Sequence, residues 1–125
     1  MNLSKLTTLL VVDAIEACLP QWQALGYSVV TRVPDSGTLD FVILASAAGG
    51  LMLQTRASLQ EDLPAVATRR PSFLLYADVA SLEEAKAALG SAAVLVPHRQ
   101  TFYGATEAWL ELEGGAVIGL SEHAD

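Results

Sequence analysis

A single cysteine, Cys18, cannot close an internal disulfide, and with two histidines in 125 residues the chain is too poor in Cys and His for a metal cluster built from those residues. No apolar stretch approaches the roughly 20 residues that cross a bilayer. The first residues, Met-Asn-Leu-Ser-Lys-Leu, lack the basic-then-apolar order of a secretory signal, so a cytoplasmic protein without membrane or disulfides is expected. Basic residues are scarce as well: seven Lys and Arg stand against fourteen Asp and Glu, a net charge of −7. With no Lys/Arg run to offset it, such a surface repels phosphate backbones, so nucleic acid is not an expected partner. It would favour a cationic ligand, although acidity that serves only solubility is the plainer reading. The apolar fraction of 52% excludes disorder and suits one domain with a real core.

What the chain does have is a near-repetition. Residues 8–26 read T-L-L-V-V-D-A-I-E-A-C-L-P-Q-W-Q-A-L-G, and residues 73–90 read F-L-L-Y-A-D-V-A-S-L-E-E-A-K-A-A-L-G. Asp13 and Asp78 lie 65 positions apart, as do Gly49 and Gly114 of the two Gly-Gly pairs. Two copies are too few for a solenoid and imply one domain of two similar halves. In each, an apolar run reads as a strand and an apolar-periodic segment as a helix. Leu6–Val12 is apolar on both alternating sets, as a strand covered on both faces would be. Asp13 with Glu16, and Ser81 with Glu84, have capping-box spacing. Ile15, Cys18, Leu19, Trp22 and Leu25 form one helical stripe, with Pro20 predicting a kink or a shortened helix.

Strands follow at Tyr27–Val33, Leu39–Ala45 and Leu51–Thr55 in the first half. The second half has strands at Phe73–Ala77, Ala92–Val96, Thr106–Leu112 and Ala116–Ser121, with a loop at His98–Gly104. The expected architecture is α+β: β-α-β-β-β twice, as module one (1–56), a connector with one helical turn at most (57–70) and module two (71–125). Both modules need cover for the sheet face opposite the helix, and against each other they would enclose a concave, water-poor space.

With these features the chain resembles the vicinal oxygen chelate superfamily, which includes glyoxalase I, extradiol dioxygenases and the fosfomycin and bleomycin resistance proteins. The likeness spans essentially all 125 residues. It rests on the paired modules and on Val-Val-Asp13, Trp22 through Ala-Leu-Gly26-Tyr27, Tyr76-Ala-Asp78, and Phe102-Tyr103-Gly104 before Glu107. Where many relatives carry Asp-Pro-Asp-Gly-Asn, this chain has Leu112-Glu113-Gly114-Gly115-Ala116. The resemblance implies cup-shaped sheets with helices outside and, in the family's enzymes, one divalent metal held by four side chains from the first and last strands of each module. Those positions fall here on Leu6, Pro71, Gly119 and Gln54 (Met52 by the local pattern). At most one can donate to a metal, so no metal and no cofactor is expected, and the family's metal chemistry does not carry over.

What remains is a cup whose expected lining is Leu6, Thr8, Leu10, Met52, Phe73 and Leu75. Metal-free relatives, the bleomycin resistance proteins, are acidic homodimers that bind a cationic drug between subunits without modifying it. The implied function is binding of a small organic molecule, cationic or aromatic, in the cleft of a homodimer, with no catalytic residue assigned. Glu107 and Glu111 share a strand face with Trp109 and would grip such a ligand through charge and cation–π contact; the plainer alternative is a solvated edge strand. Phe102 and Tyr103 form either a ligand lid or packing beneath their loop. His98 is a poor catalytic candidate without a partner nucleophile, and His123 is expected in a frayed tail. The expected ligand-binding set is therefore Leu6, Thr8, Met52, Gln54, Phe73, Phe102, Tyr103, Glu107, Trp109 and Glu111. Two other classes stay open. One is a metal-dependent lyase or dioxygenase with displaced ligands (Gln54, Glu107, Glu122, His98); the other is a partner-binding module whose cup is filled by its own side chains.

Overall fold

A computed structural model describes residues 1–123. In chain order it contains β1 (Lys5–Val12), α1 (Ile15–Ala24), β2 (Ser28–Val33), β3 (Phe41–Ser46), β4 (Gly49–Thr55), α2 (Arg56–Asp62), α3 (Pro64–Ala67), β5 (Phe73–Asp78), α4 (Leu82–Leu89), β6 (Ala93–Gln100), β7 (Ala105–Glu111) and β8 (Val117–His123). The chain divides into two compact units. One is Thr8–Phe73; the other joins Met1–Thr7 to the chain from Leu74 onward.

The two units repeat one topology. In the first, the strand order is β2-β3-β4-β1, with β4 parallel to β1 and antiparallel to β3. In the second, the order is β6-β7-β8-β5, with β8 parallel to β5 and antiparallel to β7. The last strand of each module thus returns beside the first, and the two β-hairpin strands extend outward from it.

Each sheet packs one face on its helix. In the first unit Ile15, Val42, Leu44, Leu51 and Leu53 form a buried cluster against which Leu10, Val12, Cys18, Leu19 and Trp22 pack. In the second, Ala77, Leu82, Ala85, Ala108, Leu110, Ile118 and Leu120 cluster with Leu75 and Leu89. Strand side chains alternate in direction, so the opposite faces carry Thr7, Leu9, Val11, Met52 and Gln54 in β1 and β4. In β5, β7 and β8 they carry Tyr76, Asp78, Glu107, Trp109, Gly119, Ser121 and His123. The registers agree, pairing Leu9 with Met52, Val11 with Gln54, Tyr76 with Gly119 and Glu107 with Ser121.

Several expectations change. The capping box at Asp13 does not form. The helix begins one residue later, with Ala14 in the cap position and no side-chain cap. Asp13 instead projects into solvent, 3.6 Å from Arg56 Nε, and Glu16 accepts the Leu39 N–H at 2.7 Å. The helix is not cut short at Pro20, which lies within its ten residues. The connector holds two helices rather than one turn at most. Thr55 Oγ1 accepts the Ser58 N–H at 3.1 Å as a cap, Pro64 opens α3, and Leu59, Leu63 and Val66 are buried at helical spacing.

The predicted His98–Gly104 loop contracts to a turn, because β6 runs on to Gln100. Pro97 hid this, and an edge strand tolerates a proline at an irregular point; the β6–β7 register shifts between Val94 and Val96 and again between Val96 and Arg99. His123, expected in a frayed tail, closes β8.

Candidate functional site

The helix-free face of the second unit is polar at its centre. Glu107, on β7, has 2% of its surface exposed. Its Oε2 accepts the Tyr103 hydroxyl at 2.5 Å and also the Tyr76 hydroxyl, and its Oε1 accepts Trp109 Nε1–H at 3.1 Å. Arg99 on β6 places Nε 3.7 Å from the same Oε1, its side chain mostly covered. A buried carboxylate is costly unless charge-paired and hydrogen-bonded; here three donors and one guanidinium satisfy it. Among the described residues no buried side-chain polar atom lacks a partner.

The two tyrosines are linked as well, their hydroxyl oxygens 2.9 Å apart. Burial, then the hydrogen bond to Glu107, pushes the Tyr76 phenol well above its ordinary value. The same causes in the same order raise Tyr103 to about 12. Both are therefore neutral hydrogen-bond donors at physiological pH. The Tyr76 and Trp109 rings lie 6.0 Å apart, tilted by 54°, and Tyr103 approaches the His123 ring at 6.4 Å.

The arrangement does not assemble a nucleophilic relay. Ser121, His123 and Asp78 are neighbours, but Ser121 Oγ (3.4 Å) and Asp78 Oδ1 (3.2 Å) both meet the same nitrogen, His123 Nε2. A triad needs the base and the orienting carboxylate on different ring nitrogens, and Ser121 is fully buried.

Several expected lining residues stand elsewhere. Leu6 and Phe73 are 54% and 44% exposed. Leu10 and Leu75 pack on the helix sides of their sheets, and Thr8 shares the parity of Leu10. The set facing away from the helix is offset by one residue from the expected one in both first strands: Thr7, Leu9 and Val11 in β1, and Leu74, Tyr76 and Asp78 in β5. Met52 and Gln54 do face away from α1 and are buried in the first unit, where Gln54 Nε2 donates to Ser58 Oγ at 3.1 Å.

Glu107 and Trp109 do share one face, with Glu111, half-buried, at its end. The strand carrying them is no solvated edge, because β7 runs between β6 and β8. Phe102 is 93% exposed and Tyr103 49%, on the turn between β6 and β7, so that turn is not packed down over its own aromatics. Sequence reasoning missed Tyr76, Arg99 and Ser121 as site residues. Tyr76 was legible in principle: in Leu75-Tyr-Ala-Asp78 it alternates with residues suited to a helix-side core.

The residues do not fit a metal of the kind the family's enzymes hold. Corrected for the offset, the first-strand positions move from Leu6 and Pro71 to Thr7 and Ser72, hydroxyls and not the carboxylate or imidazole donors such a site uses. Gly119 offers no donor, and the Trp109 ring lies over it. Nor do the displaced candidates converge. Glu122 points to the α4 side, accepting the Leu82 N–H at 2.7 Å, whereas Glu107 points away from it. His98 is exposed on β6. Among the described residues no three His, Cys, Asp or Glu side chains group as ligands, and no helix is long and apolar enough to cross a membrane.

The architecture is α+β, that of the glyoxalase/bleomycin resistance protein/dioxygenase fold. A superfamily member of that description from Vibrio splendidus 12B01 superposes with a TM-score of 0.71 at 16% identity, over 94% of this chain and 97% of its own. A protein from Staphylococcus aureus matches with a TM-score of 0.68 at 20% identity, over 99% and 100%. A hypothetical protein from Bacillus halodurans C-125 matches at 0.69 and 16%, over 99% and 95%. No family model and no curated protein matches the sequence. At such identities the likeness establishes the fold, and function has to be argued from the site.

Proposed function

We propose that this protein binds a small organic molecule without a metal, holding it against the Tyr76–Glu107–Trp109 face of its second unit, and that it works as a homodimer by sequestering or sensing that ligand. The observation that carries the reading is the state of Glu107. Its carboxylate is buried and engaged by Tyr76, Tyr103, Trp109 and Arg99. It is thus a fixed element of a recognition surface, and among the described residues no group of three His, Cys, Asp or Glu gathers around it as metal ligands. Binding sites of this kind pair aromatic area with a few pre-placed polar groups. Pairing of two copies is what the resemblance to the bleomycin resistance proteins implies. Sequestration is also the means by which the bleomycin resistance proteins that the sequence resembles act.

The test is a thermal-shift screen of aromatic and cationic small molecules with and without chelator, repeated on Glu107→Gln. Hits that survive chelator and weaken in the variant are expected. Hits that vanish with chelator, together with stoichiometric metal in the purified protein, would overturn the reading. Light scattering after size exclusion is expected to give a dimer, and a monomer at micromolar concentration would remove that part of it.

A further inference from the structure

Three oxygens meet at the centre of this face: Glu107 Oε2 and the hydroxyls of Tyr76 and Tyr103. Two phenols bring two protons to three contacts. If both protons go to the carboxylate, the 2.9 Å Tyr76–Tyr103 contact holds none. Tyr76 is anchored in β5, paired with Gly119 of β8. Tyr103 sits on a turn closed by Thr101 and Ala105, followed by Gly104 at φ +85°, and is half exposed beside the almost bare Phe102. Of the two phenols, Tyr103 is the more exposed and the one whose removal disturbs no strand.

Resting on the binding role above, we infer that Tyr103 is a built-in surrogate for the ligand: the molecule recognised is a neutral hydroxyaryl compound whose hydroxyl displaces that of Tyr103 from Glu107 Oε2. The chemistry of the vacated place selects this class. It presents a carboxylate oxygen and a phenol oxygen, so the incoming group must donate a proton. Arg99 already balances the Glu107 charge at 3.7 Å, so an ammonium group would bring a second cation into a covered site. The space left by the Tyr103 ring, near His123, suits another ring. Nothing is transferred; one hydrogen bond is exchanged for another while the 101–104 turn swings outward.

The test uses the full chain with 4-methylphenol as probe, 4-methylanisole as the control lacking a donor and benzylamine as the cationic control, read by calorimetry and thermal shift. Tyr103→Phe removes the competing hydroxyl and keeps the ring. 4-Methylphenol is expected to bind this variant about fivefold more tightly than wild type, the worth of one ordinary hydrogen bond. Tyr103→Ala, which opens the whole place, should be stabilised by 4-methylphenol and not by the ether. If that variant fails to fold, Tyr103→Phe alone decides. Equal response to the ether, a preference for benzylamine, or no gain in Tyr103→Phe would each overturn the inference. Should the phenol fail while other screened molecules bind and lose affinity in Glu107→Gln, the surrogate idea falls and the binding role stands. If no molecule of any class binds, both fall.

Discussion

The indole of Trp109 lies over Gly119 so closely that a Cβ at that position would stand 2.5 Å from Cζ2 and 2.6 Å from Cη2. The two residues are register partners on β7 and β8. The glycine is thus required by a neighbour's volume and not by its backbone angles. The resemblance puts a metal ligand of the family's enzymes at this position; here the Trp109 ring occupies the space above it.

Gly119→Ala should therefore force the indole aside. Overpacking of this kind costs about 1–3 kcal/mol. Urea unfolding should show that loss, and tryptophan fluorescence of the folded variant should shift relative to wild type. An unchanged midpoint would mean the ring does not rest there.

Removing the carboxylate altogether should cost more. Glu107→Ala leaves Tyr76, Trp109 and Arg99 without their shared acceptor, a loss of about 3 kcal/mol, as for other broken buried pairs. Glu107→Gln keeps the shape and should cost less. Equilibrium denaturation of both variants checks the order.

Alkaline pH should weaken the fold in a defined window. The folded Tyr103 phenol titrates at about 12, above its ordinary value of 10, so burial and Glu107 favour its protonated form. The stability linked to it is complete below pH 10 and declines as pH rises toward 12. Tyr76 is raised in the same direction and for the same reasons. Tyrosinate absorbance, with Tyr103→Phe as the difference, should locate the transition, and a midpoint at the ordinary value would contradict the buried network.

Helix α4 is held by two separate acceptors. Ser81 Oγ takes the Glu84 N–H at 3.2 Å, and Glu122 of β8 takes the Leu82 N–H at 2.7 Å. Ser81→Ala should cost about 1 kcal/mol. Glu122→Ala should lower stability too, by loosening the helix from its sheet. Chemical denaturation of the single and double variants tests whether the losses add.

At low pH the first unit is expected to soften through Glu16. The Leu39 N–H holds this carboxyl below its ordinary value, so its contribution is present above that value and fades as pH falls through the lowered one. In Glu16→Gln the acid limb of the stability profile should flatten; an unchanged limb would assign it to other carboxylates.

Several features were legible along the chain. Ser81 with Glu84 read as a cap and is one, since the hydroxyl falls at the residue where the helix starts. Asp13 with Glu16 had the same spacing and is not one, because the helix starts a residue later and Glu16 is drawn to Leu39. The face of β1 is offset as well: Leu6, Thr8 and Leu10 are the set expected from the resemblance, and Thr7, Leu9 and Val11 are the set that faces away from the helix. Both sets are apolar enough for either face, so periodicity had no means to choose, and a slip of one reverses every side chain. The helices of 56–67 were hidden by Pro64, which reads as a breaker and acts as a helix opener.

The sequence by itself determined the duplication, the β-α-β-β-β order of each module and the apolar side of each long helix, because these depend on local periods that survive without knowledge of neighbours. Only the tertiary structure decided that Glu107 is buried and not solvated, and that Tyr76, Tyr103, Trp109 and Arg99 converge on it. Those four come from the fifth, sixth and seventh strands and the turn between the last two, and no local pattern records which strand lies beside which. The charge of a glutamate is written in the chain; whether water or other side chains answer it is settled by packing.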